Sequence, residues 1–374
     1  MKRFTLALLI TLFSIPIFTI PIFSIPVATA NPSNYIAEPS FRGADGIFVN
    51  NELATLIQPG NRLGELVFKR NYESTYVIDV ATIEEIADLA DGYQYLDTDG
   101  KIFEVSNDAI ASRWLTALKN QSKAKRILAL PYGNPDIVFL REQAPAELAF
   151  YQEVASSKLG TFLGVPVALA PLTSSANKSN LLARTLHKSY RSELRALDAV
   201  ASADEITSLR LQLGKILDPD LPEERATELV NKLQSALADH RKKLRIAAGN
   251  YTITAENYDL PVTVINDLTT PVTLQVVPRA NNSRVIVRET APITIGAQSQ
   301  IQVKIPIQVL ASGETRLDMK LRTSTGKFVG ESDSIRLRLA VISPLTTWFT
   351  TGMAIILLLA AVVQSVRRVK RRHE

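Results

Sequence analysis

The sequence contains no cysteine, which excludes disulfides, thiolate metal sites and a cysteine nucleophile. Histidine is nearly as scarce. His187, His240 and His373 are far apart, the first two in helical, polar surroundings and the third in a basic tail. Such a distribution supports neither a histidine metal site nor a Ser/His/Asp triad, and no cofactor is expected. A charge excess is missing too, once the charges are located. The formal net charge is +5, and Arg367, Arg368, Lys370, Arg371 and Arg372 in the tail account for all of it. The rest of the chain is near neutral, so nucleic acid is discounted as a partner.

What is present is a pair of long apolar runs, one near each end. Trp348 to Val366 is apolar and runs straight into the five basic residues. About 19 residues at about 1.5 Å each cover roughly 28 Å, close to a bilayer's hydrocarbon thickness. Residues 346–366 therefore read as a transmembrane helix and 367–374 as a cytoplasmic tail, because Lys and Arg beside a span resist translocation. A buried core helix with a solvated basic end is the rival and is weighed lower. At the other end Lys2 and Arg3 precede an apolar stretch from Phe4 to Val27, and Ala28-Thr29-Ala30 follows. This reads as a signal peptide over residues 1–30, cleaved after Ala30, with an uncleaved first span as the rival. Either way residues 31–343 lie outside the cell, and the lipid bilayer is a partner.

After an N-terminal segment over 31–74, residues 75–176 alternate strand and helix, as in a mostly parallel α/β unit of partial, barrel-like form. The strands are Tyr76-Val77-Ile78-Asp79-Val80, Arg126 to Leu130, and Val165 to Ala170. Thr82 and Glu85 match a capping box, and Asn134 followed by Pro135 matches a helix start. Asp79, Tyr132, Asn134 and Asp136 lie at the C-terminal ends of these strands, the edge where α/β folds put their sites. Two carboxylates there could act as general acid and base on a glycan. The blander reading makes Asn134 and Asp136 part of a helix start and Asp79 part of its turn, and it is preferred.

Residues 177–249 read as a helical bundle inserted after that unit. Leu182, Leu186, Tyr190, Leu194 and Leu197 form one stripe; Ile206, Leu209, Leu213 and Ile216, behind a Ser202/Glu205 capping box, form a second. The third carries Leu229, Val230, Leu233, Leu237 and Leu244 and stops at Gly249-Asn250. Residues 250–343 then change to seven short alternating runs, the strand count of an immunoglobulin-like β-sandwich.

Several stretches resemble a known family. Val77-Ile78-Asp79-Val80 through Ala87 to Tyr93, Leu128 to Asp136, Leu260 to Asn266 and Pro271 to Leu274, with the single C-terminal span and Arg-rich tail, are similar to an uncharacterised family of exported actinobacterial membrane proteins. The resemblance covers most of the chain beyond Asn50, here in a shortened form, and implies a role at the cell envelope without assigning chemistry. The expectation is a single-pass, extracytoplasmic binding or scaffold protein for a cell-wall glycan or a membrane partner. Its rivals are a carbohydrate-active enzyme, hydrolase or deacetylase-like, using the strand-end carboxylates, and a purely structural stalk in a membrane complex.

Overall fold

The computed structural model describes residues 33–69, 75–173, 175, 177–201, 203–247, 249–340 and 344–370. The signal peptide read over residues 1–30, Ser202, and the tail positions Arg371 and Arg372 lie outside them.

The N-terminal segment is an integral part of the α/β unit. It supplies β1 (Ser33–Ile36), α1 (Glu52–Leu56) and α2 (Arg62–Phe68), followed by β2 (Thr75–Ile78) and α3 (Val80–Asp91). A hairpin of β3 (Tyr93–Leu96) and β4 (Ile102–Val105), absent from the sequence reading, precedes α4 (Ala109–Ser122) and β5 (Arg126–Ala129). Then come α5 (Ile137–Gln143), α6 (Pro145–Leu163) and the short β6 (Ala168–Leu169). The four strands β1, β2, β5 and β6 pair in parallel and in chain order. Each crossover therefore advances the same way, as in part of a singly wound barrel. Strand alternation divides the side chains between two faces. Ile36, Tyr76, Ile78 and Ala129 enter the main core with the helices. Val77, Leu128, Leu130 and Ala170 form a small separate cluster.

The helical layer is α7 (Leu181–Ala201), α8 (Asp204–Lys215) and α9 (Glu223–Lys242). The leucine stripes are buried as spaced, except that Leu182 is exposed and Tyr190 is half-buried. Leu244 is not helical. Helix α9 ends at Lys242, and Leu244–Ile246 forms β7, which joins a sheet of the following module.

That module contains β8 (Asn250–Ile253), β9 (Asn257–Asn266), β10 (Val272–Ala280), β11 (Val285–Val287), β12 (Ile293–Ile295), β13 (Ser299–Val309), β14 (Gly313–Arg322) and β15 (Phe328–Leu339). With β7 they make two sheets, ordered β12-β10-β14-β15-β8 and β11-β13-β9-β7. Strands β7 and β12 are additional to the seven expected, and β15 pairs with β8 in parallel, so the immunoglobulin-like topology is not established. Alternate residues such as Leu260, Val262 and Val264 of β9 and Ile305, Ile307 and Val309 of β13 are buried. One apolar core runs through the helix side of the parallel sheet, the helical layer and the β module.

Helix α10 (Pro344–Lys370) carries the C-terminal apolar run. Trp348, Val366, Arg367, Arg368 and Lys370 fall within its backbone, and its side chains are described from 351 to 364. Among the described residues no helix is long and apolar enough to cross a membrane.

Candidate functional site

The polar centre of the α/β unit forms where β2 ends. Asp79 is the N-cap of α3, its Oδ1 accepting from the backbone N–H of Ala81 at 3.0 Å and of Gly133 at 2.9 Å. This corrects the Thr82/Glu85 capping box: the helix has already begun at Val80, so both residues are buried inside it. Gly133 has φ +74°, and a Cβ there would lie 2.8 Å from Cα of Lys215. Only glycine lets the loop after β5 turn this way and touch the end of α8. Lys215 then reaches Glu85, Nζ to Oε1 at 2.6 Å, with both side chains buried. The other Glu85 oxygen accepts from the Phe41 N–H at 2.9 Å, and Ser40 donates its hydroxyl to Oε1. Asp218 is buried nearby and accepts from the Asp220 N–H at 2.9 Å.

Burial governs the charge states here. It pushes Asp79 up to about 7, against the hydrogen bonds from Gly133 and Ala81 and the Lys215 charge. It pushes Asp218 up to about 8, against the Asp220 hydrogen bond and with the neighbouring Asp79 charge adding to the rise. An isolated ionised carboxylate in so dry a site is costly, and protonation relieves the cost.

A cleft of about 500 Å³ opens beside this centre, lined by Arg42, Glu84, Asp88, Tyr132, Lys158 and Lys215 among others. Each basic side chain on it has a carboxylate: Lys158 with Glu84 at 2.5 Å, Arg42 with Asp88 at 3.0 Å, and Lys215 with Glu85. Tyr132 donates its hydroxyl to Glu84 at 2.5 Å. Burial, then the Glu84 charge, raises its pKa well above the ordinary phenol value. It is therefore a hydrogen-bond donor rather than a base.

The four sequence candidates do not converge. Tyr132 lines the cleft, whereas neither Asp79 nor Asp136 does. Asp136 belongs to a second network: it is the N-cap of α5, with Oδ1 accepting from Phe139 N–H at 2.9 Å. Its Oδ2 accepts from the Ser179 N–H and hydroxyl, each at 3.1 Å, and from Arg184 Nη2 at 2.5 Å. Burial alone would raise the Asp136 pKa, but these bonds outweigh it and hold the carboxyl below its usual range. Asn134 is not the cap. It sits in a turn at φ +44° with its N–H on the Pro131 carbonyl, and the helix starts three residues later. Asparagine tolerates that left-handed conformation better than most residues.

Sequence reasoning missed Lys215 and Asp218. Their signal was a pair of charged residues flanking Ile216-Leu217 in an otherwise mostly apolar stretch, which also fits ordinary helix surface. The Ser202/Glu205 box is likewise replaced: Ala203 is the N-cap of α8, and Glu205 pairs with Lys243 and His240 across the bundle. His187 and His240 are buried, with Nε2 of His187 3.4 Å from the Tyr151 hydroxyl and Nδ1 of His240 3.2 Å from Glu205. Among the described residues no group of three or more His, Asp or Glu could hold a metal ion.

No curated protein matches the chain. Solved structures do match, at low similarity. A C. elegans MSP family member is 12% identical, covering 26% of this chain and 99% of its own, with a TM-score of 0.20. Native E. coli alpha-2-macroglobulin is 11% identical over 26% of this chain and 6% of its own, with a TM-score of 0.21. The seventh PapD-like domain of human CEP192 is 14% identical over 27% and 86%, also at 0.21. The chain thus spans only a small part of the alpha-2-macroglobulin it matches. The profile of DUF6049, a family of unknown function, matches residues 77–374, and this chain belongs to that family.

Proposed function

We propose that the protein is a membrane-anchored, extracytoplasmic binding or scaffold protein of the cell envelope, held by α10. Met353, Ile355, Ile356, Leu357, Leu358, Leu359, Val362 and Val363 of that helix are all more than half exposed. Five consecutive residues, 355–359, turn through more than a full circle, so this is an apolar surface on every side rather than an amphipathic stripe. That observation carries the reading, since water disfavours such a surface and lipid does not. The basic residues after Val366 support a cytoplasmic tail. The two-sheet module, read as immunoglobulin-like, stands between α10 and the α/β unit in the chain and serves as a spacer. Binding is favoured over turnover because Asp79 and Asp136 are committed to capping α3 and α5. A cell-wall glycan or a membrane protein is the proposed partner class.

Membrane fractionation tests the anchor. The full chain should stay with the membrane through alkaline carbonate extraction, and a chain ending before Pro344 should not. Release of the full chain by carbonate would overturn the anchor. Turnover of an envelope glycan by purified protein, lost in Asp79→Asn, would overturn the non-catalytic role.

A further inference from the structure

A second cavity, of about 600 Å³, lies where the start of α6, the middle of α7 and the β14–β15 turn meet. Its basic side chains are Arg191, Arg195 and Lys327, and none forms an ion pair with a described carboxylate. Arg184, Arg210 and Arg241 of the same helical layer do have acidic partners. Arg191 Nη1 is a buried nitrogen with no hydrogen-bond partner. A buried guanidinium donor left unpaired is costly, and the same side chain lines the cavity.

The surroundings favour an anion. Glu147 is the one carboxylate on the cavity wall, and Arg210 is shared between it, at 3.0 Å, and Asp198, which leaves one negative charge against the three cations of the wall. Helix α6 begins here with Ala144 as its N-cap, but Ala144 is also the C-cap of α5, so the two helix dipoles oppose one another and the basic side chains supply the attraction. Ser192 and Thr325 add neutral donors. His187, one turn before Arg191, does not compete: burial first, then the Arg191 charge, depresses its pKa to about 3.

We propose that this cavity binds a phosphate-bearing ligand, its phosphoryl oxygens held by Arg191, Arg195 and Lys327. Two guanidinium forks and an ammonium match the several oxygens and high charge of a phosphoryl group. The volume exceeds what one phosphate fills and lies in the ordinary range for small-molecule sites, leaving room for a sugar- or glycerol-sized body. Because Lys327 belongs to the β module and both arginines to α7, the ligand would also clamp the two layers together. The site stands whether or not α10 enters a bilayer.

Calorimetric titration of the purified full chain, in non-ionic detergent, tests it with three probes: inorganic phosphate, glycerol 3-phosphate and dihexanoylphosphatidylglycerol below its micelle concentration. The expected result is saturable binding of at least one. Arg191→Ala and Lys327→Ala should each weaken it at least about tenfold, and Lys304→Ala, on the exposed face of β13, should not. Preference for glycerol 3-phosphate would mark a soluble or glycan-borne phosphate; preference for the lipid would mark a headgroup. Lys327 lies on an exposed turn, so its variant decides the matter if Arg191→Ala fails to fold. Absence of saturable binding to all three probes, or equal weakening in Lys304→Ala, overturns the site.

Discussion

Lys215 at the end of α8 and Glu85 in the middle of α3 form a 2.6 Å ion pair with each side chain only 4% exposed. The pair joins the helical layer to the α/β unit, and Asp79 and Asp218 are buried within reach of it. Lys215→Met would leave Glu85 without its cation among other acidic groups. Breaking a buried pair from one side costs about 3–5 kcal/mol. The denaturation midpoint should fall accordingly, and adding Glu85→Gln should restore part of the loss. An unchanged midpoint in Lys215→Met would show that the pair contributes nothing.

The two raised carboxyls make an unusual pH dependence. Asp79 titrates near 7 and Asp218 near 8 in the folded chain, against 3.8 unfolded. The folded state therefore holds protons that the unfolded state has released, and stability falls as pH rises from about 4 through 7 to 8. Each group contributes at most about 1.4 kcal/mol per pH unit in that window. Asp136 and Glu205 act the other way: their folded pKa values are lowered, so their stabilisation is lost in acid, as pH falls through those values. The expected stability maximum is mildly acidic. Asp79→Asn keeps a capping oxygen for Ala81 and Gly133, and should stabilise the chain at pH 8 while changing little at pH 4. Melting curves of both proteins across pH 4–9 check this, and parallel curves would contradict it.

Asp136→Ala removes the α5 cap and strands the Ser179 and Arg184 donors. Caps contribute about 1 kcal/mol and buried charged networks more, so a loss of about 2–4 kcal/mol is expected. Asp136→Asn should lose less, since one oxygen still accepts from Phe139. Thermal or urea unfolding gives both values, and equal stability of Asp136→Ala and the parent would refute the cap.

Gly330 has φ +73° at the point where the β14–β15 register shifts, and a Cβ there would lie 2.4 Å from the Leu244 carbonyl oxygen. Its N–H donates to Glu193 of α7 at 3.1 Å, and Glu193 also holds Arg241 of α9. Gly330→Ala should cost about 1–3 kcal/mol. Amide exchange should then speed up around 328–331 and in β7 before it does in the parallel sheet. Uniform exchange rates across the molecule would argue against a local attachment point.

Much of this architecture was legible in local pattern. Short apolar runs marked β2 and β5, period-two runs marked most of the β module, and leucine spacing marked α7, α8 and α9, because side-chain direction follows directly from backbone geometry. Local pattern was weaker at element ends. Thr82/Glu85 and Asn134-Pro135 satisfied capping patterns, yet Asp79 and Asp136 took the caps, since a cap is set by the backbone angles where the chain leaves a strand.

By itself the sequence determined the order of α/β, helical and β regions, the apolar runs near both ends, and the absence of thiol chemistry. Those properties are additive along the chain, so composition and spacing suffice to read them. Only the tertiary structure decided which charges are buried and with whom. Asp79 meets Gly133 54 residues away, Glu85 meets Lys215 through a different helix, and Arg191 is left without an acceptor. Burial and pairing depend on what distant segments bring to the same few ångströms, and no local pattern carries that information.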